Sequence, residues 1–462
     1  MQEVKISKWL PWVGAIAMFM QSLDGTILNT ALPSIANKLH RSPLEMHSII
    51  IAYTLTLALL IPLSGWLSDK FGSRNIFIMA VAIFTLGSLA CALSKTLELL
   101  IITRIIQAIG GSMMVPVSRL ILLYTYPKNQ LLKVINFVTM PGLIGSVIGP
   151  TLGGWLVQVA SWHWIFLINI PIGFMGIFLS LKVVPNYKRE KGKFDFIGLF
   201  LFGLGLVLLS LSLEFGGDQT SNLWEFLITF LLGFFLLVIY VIYSKHTYSP
   251  LINLNIFKIR TLRIGIIGNL ATRLGVGGVP LMLPLMLQVG YGKKPFIAGI
   301  MLIFSAITTV IAKSWVVPLV KYFGYRKLLI INTLLLGFII SLFALPNKNT
   351  PLVYFIPILI LYGAINSIQM ASMNSISLAD LTLKNASHGN TMLSVTQQLS
   401  ISFGISVSSM ILRGFDASKI FKDVIFTFKA TFIVLGLITI LSTFIFRRLK
   451  SGDGKEMSGV NQ

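Results

Sequence analysis

The chain has 462 residues, 55% of them hydrophobic and only 11% charged, with a formal net charge of +22. Soluble globular domains carry about 25% charged residues, so the composition argues against a soluble enzyme. The excess charge sits in short gaps and not on a soluble basic module, which argues against a nucleic-acid partner.

From residue 9 to residue 446 apolar runs follow one another at 9–33, 47–67, 76–94, 98–122, 134–158, 163–184, 196–214, 223–243, 263–288, 296–318, 328–346, 351–371, 391–412 and 429–446. Each is close to the ~20 residues that a helix needs to cross the hydrocarbon of a bilayer. Fourteen transmembrane helices are the expectation, in an all-α membrane protein. No series of short alternating segments suggests a barrel, and an open sheet cannot satisfy its backbone in lipid. The first run is too long for a cleaved signal peptide and reads as a retained span. Alternate gaps hold 22 Lys and Arg, from Lys5 and Lys8 to Lys450 and Lys455, against 10 in the others. That bias predicts both termini on the cytoplasmic side of the inner membrane. The single cysteine, Cys91, permits no intrachain disulfide, and the five histidines show no metal-ligand spacing, so no metal is expected.

Asp24 is the first residue with a mechanism attached. It lies about 22 Å along the first run at helical rise, inside the hydrocarbon, where a carboxylate is costly unless paired or wetted. It is either a proton-coupling site or a structural cap at a helix break beside Gly25. In the next gap, Gly65, Asp69, Lys70, Gly72 and Arg74 predict a tight inner turn, with Asp69 available as a conformational latch. Arg104 lies on the fourth run at a depth similar to that of Asp24, and stays charged at any relevant pH; Gln107, one turn further, faces the same way. On the fifth run Gly145, Gly149, Pro150, Gly153 and Gly154 place small residues at four-residue spacing, which lets helix backbones approach closely and bend. Arg273 and Lys313 are cations in the ninth and tenth runs. With Asp24 as the one deep acid, the balance of embedded charge suggests an electropositive cavity suited to an anion. Asn29, Gln107, Asn366, Gln369, Asn374 and Gln398 are candidates for the polar lining of a substrate site, or for helix–helix contacts.

A weak internal repeat divides the chain. Gly65-Trp-Leu-Ser-Asp-Lys-Phe-Gly-Ser-Arg74 and Pro318-Leu-Val-Lys-Tyr-Phe-Gly-Tyr-Arg-Lys327 both place Phe-Gly-x-Arg at the inner end of a second helix. The expected organisation is a six-helix bundle over 1–190, two inserted helices over 191–250, a second six-helix bundle over 251–450 and a cytoplasmic tail over 451–462.

At these residues the chain resembles the fourteen-span drug:proton antiporter branch of the major facilitator superfamily. Leu23-Asp-Gly-Thr-Ile-Leu-Asn-Thr-Ala-Leu-Pro33 resembles that branch's first-span signature, Gly65–Arg74 its loop motif and Arg104-Ile-Ile-Gln-Ala-Ile-Gly110 its fourth-span arginine motif. Gly145–Gly154 resembles the antiporter motif, and Trp162-His-Trp-Ile-Phe-Leu-Ile-Asn-Ile-Pro-Ile-Gly173 and Phe194-Asp-Phe-Ile-Gly198 are typical of the branch. In the C-terminal half, Ala271-Thr-Arg-Leu-Gly275, Phe323-Gly-Tyr-Arg-Lys327 and Ser372-Met-Asn-Ser-Ile-Ser-Leu378 are similar to MdtD-type proteins of Gram-negative bacteria. Lys70, Ser73 and His163 depart from the usual residues, and Tyr124–Gln130 lacks the acid that often follows the fourth span. The resemblance implies the major facilitator fold and proton-coupled efflux by alternating access. The expected cargo is drugs or small amphipathic compounds, with an anionic carboxylate or metal chelate as the alternative. It implies a proton gradient as the energy source, with no cofactor and a monomer in the bilayer. No nucleophile–base pair or phosphate loop points to an enzyme.

Overall fold

A computed structural model describes residues 7–188, 193–216, 223–248, 250–252, 254–347, 350–381, 386–418, 420, 423–450 and 452–454. The charges counted at Lys5, Arg189, Lys191, Lys348, Lys384, Lys419, Lys422 and Lys455 lie outside these residues, as does most of the predicted tail over 451–462. Every regular element among the described residues is helical. They are α1 Leu10–Ile27, α2 Leu32–Lys38, α3 His47–Phe71, α4 Ser73–Ala92, α5 Leu97–Thr125, α6 Lys128–Val159, α7 Trp164–Leu167, α8 Asn169–Val183, α9 Phe196–Phe215 and α10 Leu223–His246. They continue as α11 Arg260–Val276, α12 Val279–Leu285, α13 Pro295–Leu342, α14 Phe355–Leu378, α15 Ala386–Ala417, α16 Val424–Leu441 and α17 Thr443–Phe446.

Twelve stretches among the described residues are long and apolar enough to cross a membrane. One of them, α13, is two spans, because Gly324 turns the chain with a φ of 68°. The first apolar run is a further span, made of α1, the 3-10 turn at Leu28–Thr30 and α2. Fourteen spans result, in the positions that the apolar runs predict. The breaks have a common cause. Pro33 and Pro171 have no N–H for the carbonyls of Asn29 and Leu167, so the helix opens before each of them. α11 gives way to α12 at the Gly277-Gly278 pair that precedes Pro280.

The chain forms two compact units: Met1–Phe194 with Lys294–Ile300, and Asp195–Lys293 with Met301–Gln462. The first unit is built on α1 against α6 and on α4 against α3, α5 and α8, around buried Met20, Tyr53, Phe77, Phe84 and Met114. In the second unit α11 packs against α14, α15 and α16, and α9 and α10 pair with each other while α9 touches α15. The predicted inner turn closes the α3–α4 connection. Gly72 has a φ of 100°, a conformation that a side chain resists, and Ser73 and Arg74 receive the exit segment of the unit: Ser73 N–H donates to the Tyr187 carbonyl at 2.9 Å and Arg74 N–H to Asn186 Oδ1 at 3.2 Å. The glycines in the two copies of Phe-Gly-x-Arg, Gly72 and Gly324, both have positive φ.

Candidate functional site

Five spans of the first unit converge on Asp24. Its carboxylate is fully buried on α1, three residues before the helix ends. Arg104 of α5, 1% exposed, donates from an Nη to Asp24 Oδ2 at 2.8 Å. Gln107, one turn along the same helix, donates from Nε2 to Asp24 Oδ1 at 2.9 Å and accepts from the same Arg104 nitrogen at 2.6 Å. Ser88 of α4 accepts a second bond from Gln107 at 2.7 Å, and Asn169 of α8 approaches Asp24 Oδ1 at 3.4 Å. The Tyr53 ring of α3 lies under the guanidinium, 4.1 Å from centroid to Cζ, with Phe166 at 5.8 Å. Cys91 lies 3.6 Å from Gln107 Oε1.

The arrangement bears on the reading of Asp24 as a cap. A cap would bond the backbone N–H groups at the break, yet among the described residues the Asp24 carboxylate is met by side chains from other spans, and α1 runs on through Gly25 to Ile27. A carboxylate in low-dielectric surroundings is tolerable when an opposite charge and further donors meet it. Arg104 and Gln107 supply both. The cluster is therefore neutral as a pair and unbalanced as soon as one partner changes charge.

α6 holds α1 in place through its small residues. A Cβ on Gly145 would come within 3.0 Å of the Phe19 carbonyl oxygen and one on Gly149 within 3.1 Å of Thr26 Cβ, and a Cβ on Gly153 would run into the Ile27 carbonyl. Gly154 faces Pro295 and Phe296 instead, and Thr151 donates to the Gly299 carbonyl at 3.1 Å, so the first turn of α13 belongs to this unit. The Pro150 carbonyl accepts from Thr30 at 2.6 Å. At the inner turn Asp69 is buried and accepts from the Tyr124 hydroxyl at 3.1 Å, Lys70 is exposed with its ammonium 4.6 Å from the Trp66 ring, Arg74 is half-buried, and a Cβ on Gly65 would lie 4.0 Å from Leu120 Cδ1.

A second polar cluster lies in the other unit. Arg273 Nε donates to Asn269 Oδ1 at 2.7 Å, one turn back on α11. Asn269 donates to Asn374 of α14 at 3.1 Å, and Asn374 also accepts from Gln397 of α15 at 2.9 Å. Arg273 is half-buried and has no carboxylate partner among the described residues. Two sequence candidates thus meet through Asn269, and the α15 residue that joins them is Gln397, next to the predicted Gln398. The other candidates stand apart. Gln369 is buried, with its amide taken by Asn332 at 2.9 Å and Thr333 at 2.7 Å. Asn366 is half-buried, with an Oδ1 that has no partner among the described residues, Asn29 is 7% exposed on the 3-10 turn, and Lys313 is exposed. Reading the sequence missed Ser88, Asn169, Tyr53 and Asn269. Of these, Asn269 carried a usable signal, since a polar residue four positions before an Arg inside a span shares its helix face. Among the described residues no group of His, Cys, Asp and Glu could hold a metal ion.

Comparison with known proteins gives one consistent answer. A family model described as Major Facilitator Superfamily matches residues 14–280. Proteins of Escherichia coli O127:H6 and Escherichia fergusonii named for multidrug resistance, MdtD, are each 42% identical over 452 residues, covering 96% of this chain and 95% of theirs. Among solved structures, a mutant of the nucleoside transporter NupG superposes with a TM-score of 0.67 at 14% identity, covering 95% of this chain and 98% of that one. A D-xylose–proton symporter superposes with a TM-score of 0.65 at 15% identity, covering 96% and 98%. At such identities the likeness speaks to the fold alone.

Proposed function

Because this chain belongs to the major facilitator superfamily, and is a multi-pass membrane transporter and not an enzyme, we propose that it is a proton-coupled efflux antiporter of the inner membrane, with both termini cytoplasmic. It works as a monomer by alternating access and exports drugs or other small amphipathic compounds. The supporting observation is the fully buried Asp24 held by Arg104 and Gln107. Arg104 pairs with the Asp24 carboxylate; a proton from the outer side neutralises that carboxylate, loosens its hold on the guanidinium and frees the packing between α1 and α5. Release of the proton inward restores the pair. The drug assignment draws on the relatives named for multidrug resistance.

The test is Asp24→Asn in proteoliposomes with a lipophilic cation, tetraphenylphosphonium, as cargo. Accumulation driven by a pH gradient is expected to vanish while counterflow exchange of the same cation at equal pH persists, showing that the variant is folded. Full gradient-driven accumulation would remove Asp24 from the mechanism.

A second reading concerns cargo. Arg273 is a half-buried cation beside three amides with no acid to balance it, and such a site is suited to a carboxylate or a metal–carboxylate chelate. If so, Arg273→Gln weakens uptake of citrate into inverted vesicles about tenfold or more, as expected for loss of a charge-assisted bond, and leaves tetraphenylphosphonium uptake within about twofold. Equal effects on both cargoes would discard the anion.

A further inference from the structure

Trp162–Gly173 stands out in the sequence, and the proton cycle above assigns it no part. Its centre is Asn169, the first residue of α8, where the sixth span restarts after its break at Ile168. Gly173, one turn on, brings α8 close to α4, because a Cβ there would come within 3.0 Å of Thr85 Cβ. Asn169 is thereby held at 1% exposure, with Nδ2 3.4 Å from Asp24 Oδ1. Its Oδ1 is buried and accepts no hydrogen bond among the described residues.

An ionised Asp24 has little need of Asn169, since Arg104 and Gln107 both donate at shorter range, 2.8 and 2.9 Å. A protonated Asp24 has the opposite need. Its new O–H must find an acceptor, and a buried donor without one is expensive. Arg104 has no acceptor to give. Gln107 Oε1 is already engaged by Arg104 at 2.6 Å, and Ser88 Oγ by Gln107 at 2.7 Å. The Asn169 carbonyl is unengaged and adjacent, and rotation of the amide by half a turn puts that oxygen where the Nδ2 now lies.

We propose that Asn169 is the positioning residue for the transported proton: its amide turns to accept the O–H of protonated Asp24 and turns back when the carboxylate re-forms. This rests on Asp24 as the proton carrier. In the step itself an O–H bond forms on Asp24 Oδ1 with a proton from water and the carboxylate charge is cancelled; Asn169 forms no covalent bond, and the proton leaves again to water. The titratable and charged groups that face Asp24 are Arg104 from α5, Tyr53 from α3 and Cys91 from α4. The membrane-crossing part of α6 carries no ionisable residue, α7 carries none, and α8 has only Lys182, whose ammonium sits 4.1 Å from the Phe178 ring. The Tyr53 hydroxyl, also buried and without a hydrogen-bond partner among the described residues, is the rival acceptor, but a phenol oxygen is a weaker acceptor than an amide carbonyl.

The experiment is an infrared titration of the protein in lipid, following the protonated-carboxyl band that disappears in Asp24→Asn. Losing the acceptor costs the protonated form more than the ionised one. Asn169→Leu, which keeps the branching at Cγ but has no acceptor, is therefore expected to move the band's midpoint about one pH unit toward acid, and the pH profile of tetraphenylphosphonium transport with it. Asn169→Thr, which restores a donor and an acceptor, is expected to recover most of the shift, a rescue that a packing role alone does not give. An unmoved midpoint in Asn169→Leu, or a larger shift in Tyr53→Phe, overturns the assignment to Asn169 and leaves Asp24 as carrier. Absence of any Asp24-dependent band across the titration takes down both.

Discussion

Replacing Arg104 with leucine is expected to cost about 3–5 kcal/mol of stability, the penalty for stranding one member of a buried ion pair. The guanidinium is 1% exposed and the carboxylate 0%, so water cannot take over the lost bond. Gln107 Nε2 would remain as the one short donor to Asp24, and Tyr53 would face a void where the cation stood. The variant has two ways out: it unfolds more readily, or it keeps Asp24 protonated. Thermal unfolding in detergent separates these when Arg104→Leu is compared with the double variant Asp24→Asn/Arg104→Leu. The double variant removes both charges and keeps the acceptor for Gln107, so most of the stability should return. Neither variant should drive cargo with a pH gradient. Equal stability in the single and double variants would show that Asp24 takes the second way out and is protonated once Arg104 is gone, so that the stranded charge costs nothing.

The sequence located this pair because its signal is physical: a carboxylate and a guanidinium far inside apolar runs are both costly alone, and helical rise put them at one depth. Span number was legible for the same reason, since each apolar run matches the length of a bilayer crossing. What completes the site was not legible. Ser88 and Asn169 are neutral polar residues of a kind that recurs in nearly every span, and their meeting with Asp24 depends on the rotation of α4 and α8, which Gly173 and Gly87 fix by close approach. Gln397 against Gln398 shows how fine that dependence is: one position is about 100° of rotation, enough to turn an amide toward Asn374 or away from it. Gln369 was legible as polar and buried, but nothing in the sequence says that Asn332 and Thr333 occupy both ends of its amide. Lys313 was read from depth alone, and the exposed position it occupies on α13 follows from helix rotation in the same way.

Gly153→Ala should be among the most damaging single-methyl changes in the chain. The added Cβ would meet the Ile27 carbonyl and come within 3.0 Å of Thr30 Oγ1. Both are backbone or tightly held groups: Ile27 closes α1, and Thr30 is already bonded to the Pro150 carbonyl at 2.6 Å. Neither can swing aside as the end of a long side chain would, so α1 must shift from α6. Overpacking of this kind costs about 1–3 kcal/mol. Asp24 lies three residues before Ile27, and a shift at the end of α1 is transmitted to its bond with Arg104. Stability and transport are therefore expected to fall together, with Gly153→Leu worse than Gly153→Ala. Gly414→Ala on α15 is the control: it is exposed and a Cβ there meets nothing within 4 Å, so the better helix propensity of alanine leaves stability equal or raised by up to about 1 kcal/mol. Wild-type unfolding temperature and transport in Gly153→Ala would mean that α1 and α6 separate freely at this point. The close seam along Gly145, Gly149 and Gly153 would then not be what sets the position of the carboxylate.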